Sequence, residues 1–209
     1  MLFPKTKVLE PGPRASVRTH MRVVAGKYRS RTLHSLRGMD LRPTADRLRE
    51  TLFDVLTAGN PSALEGTVWL DLYAGTGAVG IEALSRGAAL VYFVDASTKS
   101  AGLVRQNLQS LGIDTGFQVL KQESGRALRS LGASGVVADI VFLDPPYRLE
   151  KEYVLTLGAL PDSGLIKAET IVIAEHQKRT DLGDKFLSLH RYRKLEQGDA
   201  ALSFYRKDQ

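Results

Sequence analysis

Beyond residue 67 the chain repeats one pattern: a short apolar run, a turn, then an amphipathic segment. The apolar runs are Thr67–Tyr73, Leu90–Asp95, Phe117–Lys121, Ile140–Leu143 and Thr170–His176. Helical patterns lie between them at Ala78–Arg86, Ser97–Leu111, Ser124–Leu131 and Glu150–Leu160, with Gly87 and Gly112 closing the first two. Strands buried on both faces read as near-continuous apolar runs, and parallel neighbours need a crossover helix between them. The last two runs, Phe186–Arg193 and Ala200–Arg206, enclose only a polar loop, Lys194–Asp199. No helix fits there, so these two form an antiparallel hairpin. The pattern predicts an α/β fold: a doubly wound, mostly parallel seven-stranded sheet with an antiparallel C-terminal hairpin.

Upstream, Arg22–Gly26 and Arg31–Leu33 read as two short strands around a Gly/Lys turn, a small N-terminal β appendage. Leu48, Leu52, Phe53 and Leu56 then recur at helical spacing, with Thr44 as the expected N-cap and Gly59 as the stop. Residues 1–20 hold three prolines and neither sustained periodicity nor the apolar core of a signal peptide. They read as a flexible extension, or as residues preceding a true start at Met21. The expected division is an extension (1–20), a hairpin with an Arg-rich helix (21–60) and the main domain (61–209).

Charge is unevenly spread. Residues 1–50 carry a net +8, residues 51–177 a net −5 and residues 178–209 a net +3. A polyanion is therefore drawn to the N-terminal region rather than to the whole surface. The chain has no cysteine, which excludes disulfides and thiolate metal sites and fits a reducing cytoplasm. His20, His34, His176 and His190 show no metal-ligand spacing, so no metal is expected. No apolar run reaches the ~18 to 20 residues of a membrane span.

Asp71-Leu72-Tyr73-Ala74-Gly75-Thr76-Gly77-Ala78-Val79-Gly80 joins the first of these strands to its helix. Ligands of open α/β sheets bind beyond the strand carboxyl ends, and glycines there admit close approach to the backbone. Gly75, Gly77 and Gly80 match the dinucleotide fingerprint, and Asp95, ending the next strand, can accept hydrogen bonds from a ribose. That arrangement alone is compatible with a nicotinamide dinucleotide. Asp71 weighs toward another ligand, because a carboxylate aimed at the loop repels a pyrophosphate. It suits the amino group and sulfonium of S-adenosylmethionine.

The fourth strand ends at Asp144-Pro145-Pro146-Tyr147. An exocyclic amine on a nucleobase is a poor nucleophile, since its lone pair is delocalised into the ring. The Asp144 carboxylate and the Pro145 carbonyl can each accept one N–H, orient that lone pair and stabilise charge developing on nitrogen. Pro145 and Pro146 stiffen the loop, and Tyr147 offers a face on which a flipped base stacks.

With both motifs placed, the chain resembles class I, Rossmann-like S-adenosylmethionine methyltransferases carrying the [DNS]-P-P-[YFW] signature. More narrowly it resembles the RsmD family of bacterial 16S rRNA guanine-N2 methyltransferases. Arg42-Pro43-Thr44-Ala45-Asp46-Arg47-Leu48-Arg49-Glu50-Thr51-Leu52-Phe53 is similar to that family's R-P-T-x-D-R-x-R-E-x-L-F segment. The strand pair at 22–33, the Asp71–Arg86 loop and helix, and Asp144–Tyr147 also match, from about Met21 to Arg206. The resemblance implies that Asp71, Tyr73, Gly75 and Gly77 surround the methionine part of the cofactor. It implies further that Asp95 holds the ribose and Glu123 lies near the adenine. Asp144, Pro145, Pro146 and Tyr147 hold the guanine amine. The partner implied is 16S rRNA in a partly assembled small subunit, met by a cytoplasmic monomer. Arg29, Arg31, Arg37, Arg42, Thr44, Arg47 and Arg49 are the candidates for RNA contact.

Three alternatives stay open on sequence alone. A nicotinamide-dependent oxidoreductase shares the glycine loop. Methylation of another amine, adenine N6 or a glutamine side chain, shares the Asp144 loop. A noncatalytic rRNA-binding assembly factor shares the basic region.

Overall fold

The structure, a computed structural model, describes residues 21–35, 43–146 and 148–208, without the side chains of residues 43–45. Helices α1 (Pro43–Leu56), α2 (Ala78–Ser85), α3 (Thr98–Leu111), α4 (Ser124–Ala133) and α5 (Glu150–Ala159) surround one sheet. Its strands are β1 (Val68–Leu72), β2 (Leu90–Asp95), β3 (Phe117–Lys121), β4 (Ile140–Leu143), β5 (Ile171–Gln177), β6 (Lys185–Phe186), β7 (Leu189–Gln197) and β8 (Ala200–Lys207). They are ordered β3-β2-β1-β4-β5-β8-β7-β6. The first five pair in parallel, and β8, β7 and β6 follow antiparallel. Strand order reverses at β1, which lies between β2 and β4; in a doubly wound sheet the ligand crevice opens there.

The expected doubly wound fold is present, with two differences at its edge. The run Phe186–Arg193 is broken at Leu187, which takes a left-handed φ of 53°. That break makes β6 a separate eighth strand. β7 also continues through Lys194–Gln197, expected to be loop, and turns at Gly198 with φ 61°. A strand with one solvated face tolerates such polar residues while Leu195 packs inward.

Alternation along each strand sends side chains to two cores. One unites Trp69, Ile81, Phe93, Val104, Phe142 and Ile173 with Val23, Leu33, Leu48, Leu52 and Phe53. The other places Leu70, Leu72, Val141, Leu143 and Ala174 under Leu128, Tyr153 and Leu157 of α4 and α5. The N-terminal strands and α1 thus belong to the α2–α3 layer, where the Phe53 and Trp69 rings stack 5.5 Å apart. The strand pair is reduced to one bridge, Arg22 to Thr32. α1 begins at Pro43, one residue before the expected cap Thr44; proline suits a first helical position.

Buried Glu82 of α2 fastens this hairpin. Its carboxylate accepts from the Val24 and Ala25 amides at 2.7 and 2.9 Å and from Arg86 Nε at 2.8 Å. A buried charge is tolerated when its lone pairs are met in this way. Gly26 has φ 77°, and a Cβ there would lie 1.9 Å from the Ser85 carbonyl, so only glycine fits the approach. Among the described residues, no helix is long and apolar enough to cross a membrane.

Candidate active site

Register and side-chain alternation place four carboxylates on one face of the sheet, at the carboxyl ends of four adjacent strands. Asp71 stands opposite Phe93 of β2 and Phe142 of β4, and Phe142 stands opposite Ile173 of β5. Asp95, Asp144 and Glu175 each lie two residues beyond those partners. They therefore point to the same face as Asp71, about 6.6 Å higher along the strands. Asp71 forms the floor of this row and the other three its rim.

The floor is almost closed from solvent, Asp71 being 2% exposed. Its Oδ2 accepts the Gly80 amide of α2 at 3.0 Å, a favourable place for an anion at a helix N-terminus. Burial, with Asp144 and Asp95 nearby, nevertheless pushes its carboxyl up to about 7. Burial also pushes Asp144 up to about 7. Glu175 is raised well above the ordinary range by burial and by Asp144, against the pull of Arg49. A cation entering this crevice meets an electrostatic need of the protein itself.

The glycine loop forms the adjoining wall. Tyr73, Gly75 and Gly77 have φ of 61°, 56° and 77°. Asp95 pins the loop, accepting from the Gly75 amide at 3.0 Å and the Ser97 amide at 2.8 Å. Each of its oxygens keeps a lone pair for a sugar hydroxyl. Gly80 packs so closely that a Cβ would lie 2.3 Å from Phe93 Cε1. Asn107 supports the loop from behind, donating to the Thr76 carbonyl at 2.9 Å while pairing with both backbone groups of His34. Glu123 lies exposed beyond β3, at the start of α4.

The loop after β4 leans on its neighbours. The Asp144 amide donates to the Leu72 carbonyl, 3.4 Å away. The buried Tyr153 hydroxyl donates to the Glu175 carbonyl at 2.7 Å and lies 3.4 Å from the Pro145 carbonyl. The Asp144 carboxylate itself has no hydrogen-bond partner among the described residues. Tyr147 lies outside the described residues.

Two expected site residues are placed differently. The Tyr73 side chain turns to the α4–α5 side, where its hydroxyl meets Ser124 Oγ, Glu152 Oε2 and Thr156 Oγ1 at 2.7 to 2.9 Å. Its left-handed backbone, unforeseen for a tyrosine, causes that turn. Arg49, expected at the RNA surface, is buried at 6% exposure, with Nη2 donating to the Arg22 carbonyl and Asp46. Packing of the Leu48, Leu52 and Phe53 stripe draws it inward. Arg29, Arg31 and Arg47 are exposed as expected, whereas Arg37, Arg42 and the Thr44 side chain lie outside the described residues. Glu175 was not foreseen; only the pairing of β4 with β5 brings it beside Asp144. Among the described residues no group of His, Asp and Glu is arranged to hold a metal ion.

A sequence model of the family described as "Conserved hypothetical protein 95" matches residues 21–206. The chain is 31% identical to Ribosomal RNA small subunit methyltransferase D of Escherichia coli K12, over 94% of each chain. It is 31% identical to the protein of that name from Haemophilus influenzae, over 82% of this chain and 84% of that one. The solved structure of yhhF from Escherichia coli superposes with a TM-score of 0.72 at 29% identity, covering 91% of this chain and 99% of the other. Sequence and fold show that the chain belongs to the Conserved hypothetical protein 95 family, the RsmD family of class I methyltransferases.

Proposed function

We propose that this chain transfers a methyl group from S-adenosylmethionine to the exocyclic N2 amine of a guanine in 16S rRNA of the small ribosomal subunit. The observation that carries this reading is the juxtaposition of two loops. The Asp144 loop and the glycine loop leave adjacent strands at the switch point, where Leu143 stands opposite Leu72. Relatives named small subunit methyltransferases support the substrate class.

The donor set fits the cofactor, since the buried Asp71 carboxylate on the floor of the crevice answers a sulfonium and an ammonium group. When bound, S-adenosylmethionine supplies an electrophilic methyl group. Asp71 and the Gly75–Gly77 backbone hold its methionine part, Asp95 its ribose hydroxyls, and Glu123 lies toward the adenine. Tyr73 serves by bracing the loop against α4 and α5. Asp144 and the Pro145 carbonyl accept the amine's two N–H groups and aim its lone pair. With its carboxyl raised to about 7, Asp144 is also suited to take the proton that nitrogen sheds. Pro146 and Tyr147 complete the loop that receives the base. Exposed Arg29, Arg31 and Arg47 hold the RNA backbone outside the crevice, with Arg37 and Arg42 continuing the basic stretch.

Methyl transfer to naked 16S rRNA and to partly assembled small subunits, followed by nucleoside mass spectrometry, tests the reading. It requires N2-methylguanosine, formed faster on the assembled particle. A product methylated at adenine N6, or no product with either substrate, overturns it.

A further inference from the structure

We propose that Glu175 is a specificity residue, accepting the N1–H of the target guanine beside Asp144. The proposal rests on the guanine-N2 reading above and assigns the second half of base recognition.

Three placements support it. First, Leu143 pairs with Ala174, so Asp144 and Glu175 are the next residues on neighbouring strands, about 4.8 Å apart at their backbones. They share a face, because Phe142 and Ile173, two residues earlier, lie in the same core. Second, one buried hydroxyl, that of Tyr153, bonds the Glu175 carbonyl and touches the Pro145 carbonyl, so a single side chain bridges the two positions. Third, buried Arg49 of α1 lies near enough to pull against the burial that raises the Glu175 carboxyl. Its Nη2 is committed to Arg22 and Asp46, while its buried Nε has no hydrogen-bond partner among the described residues. A guanidinium so deeply buried and only partly satisfied is costly unless it offsets nearby negative charge. Among the described residues the Glu175 carboxylate accepts no hydrogen bond.

The chemistry is discriminating. Guanine presents two adjacent donor groups, N1–H and the N2 amine, and two adjacent carboxylates are their complement. Adenine presents an amine beside N1, which is an acceptor, so its ring nitrogen would face the lone pairs of Glu175. A polar site left unpaired by the wrong base rejects it strongly.

The test uses the small-subunit rRNA carrying either the guanine methylated by the wild-type enzyme or 2-aminopurine at that position. 2-Aminopurine keeps the reacting amine but turns N1 into an acceptor. The wild-type enzyme is expected to favour guanine at least ~100-fold in kcat/KM. Glu175→Gln, whose amide can donate to N1, should narrow that preference to within about tenfold, the range left when a polar mismatch is relieved. Its affinity for S-adenosylhomocysteine should match wild type. Glu175→Asp retains an acceptor and should retain the preference; it also decides the matter if Glu175→Gln is inactive or unfolded. A Gln variant with the wild-type preference, an Asp variant without it, or a wild-type enzyme indifferent to the two bases overturns the proposal. Failure of wild type to form N2-methylguanine at all is a separate result and overturns the underlying reading instead.

Discussion

Asp71→Asn isolates the cost of keeping a carboxylate at the floor of the crevice. The side chain is 2% exposed, and its carboxyl is pushed from an ordinary 3.8 to about 7. Between those values the folded chain holds a proton that the unfolded chain has lost. Unfolding there releases protons, so wild-type stability falls as pH rises, by up to ~1.4 kcal/mol per unit from this group. Well above the folded value both states are ionised and the loss is complete. Asparagine can still accept the Gly80 amide through Oδ1 but does not titrate. Asp144 and Glu175 are present in both proteins, so their titration largely cancels in the comparison. The stability of Asp71→Asn relative to wild type should therefore climb by about 2 kcal/mol from about pH 5 to about pH 7, then level off about one unit higher. Urea unfolding followed by the fluorescence of Trp69, the single tryptophan, reads this directly. A difference that stays flat across that interval would refute the electrostatic account of the site.

Two further outcomes follow from the placements described. Tyr73→Phe removes a hydroxyl shared by Ser124, Glu152 and Thr156 and should cost about 1–2 kcal/mol in urea unfolding. Cofactor affinity should change little, and a tenfold loss by calorimetry would return the hydroxyl to the binding site. Replacing exposed Arg29, Arg31 and Arg47 together by Ala should flatten the salt dependence of RNA affinity, by about one unit of log–log slope for each phosphate no longer neutralised. An unchanged slope would place the RNA on another surface.

The parts of the molecule legible in the sequence are those governed by local rules. Parallel strands covered on both faces must be apolar throughout, so Ile140–Leu143 and Leu90–Asp95 announce themselves. The glycine spacing and the residues ending each strand mark Asp71, Asp95 and Asp144 for the same reason. Glu175 is hidden because nothing within Ile171–Gln177 tells which strand lies beside it; its meaning comes from pairing with β4. Arg49 reads as one of several surface arginines until the apolar stripe of α1 is docked and carries it inward. Tyr73 is misplaced by sequence because a left-handed backbone at a tyrosine has no local signature, yet it decides which side of the sheet the ring occupies. The charged residues of β7 conceal a strand for the opposite reason, since an exposed face imposes no apolar requirement.

The hold of Glu82 on the N-terminal hairpin also fixes an order of events during synthesis. The amides of Val24 and Ala25 emerge 58 and 57 residues ahead of the carboxylate that receives them. Until α2 has formed, those donors have only water, and closing so long a loop cannot precede the helix that makes closure favourable. The hairpin is therefore expected to settle late, onto a helix whose first turn receives Asp71. A chain that displays the finished basic surface has, by the time it does so, built the floor of its own crevice.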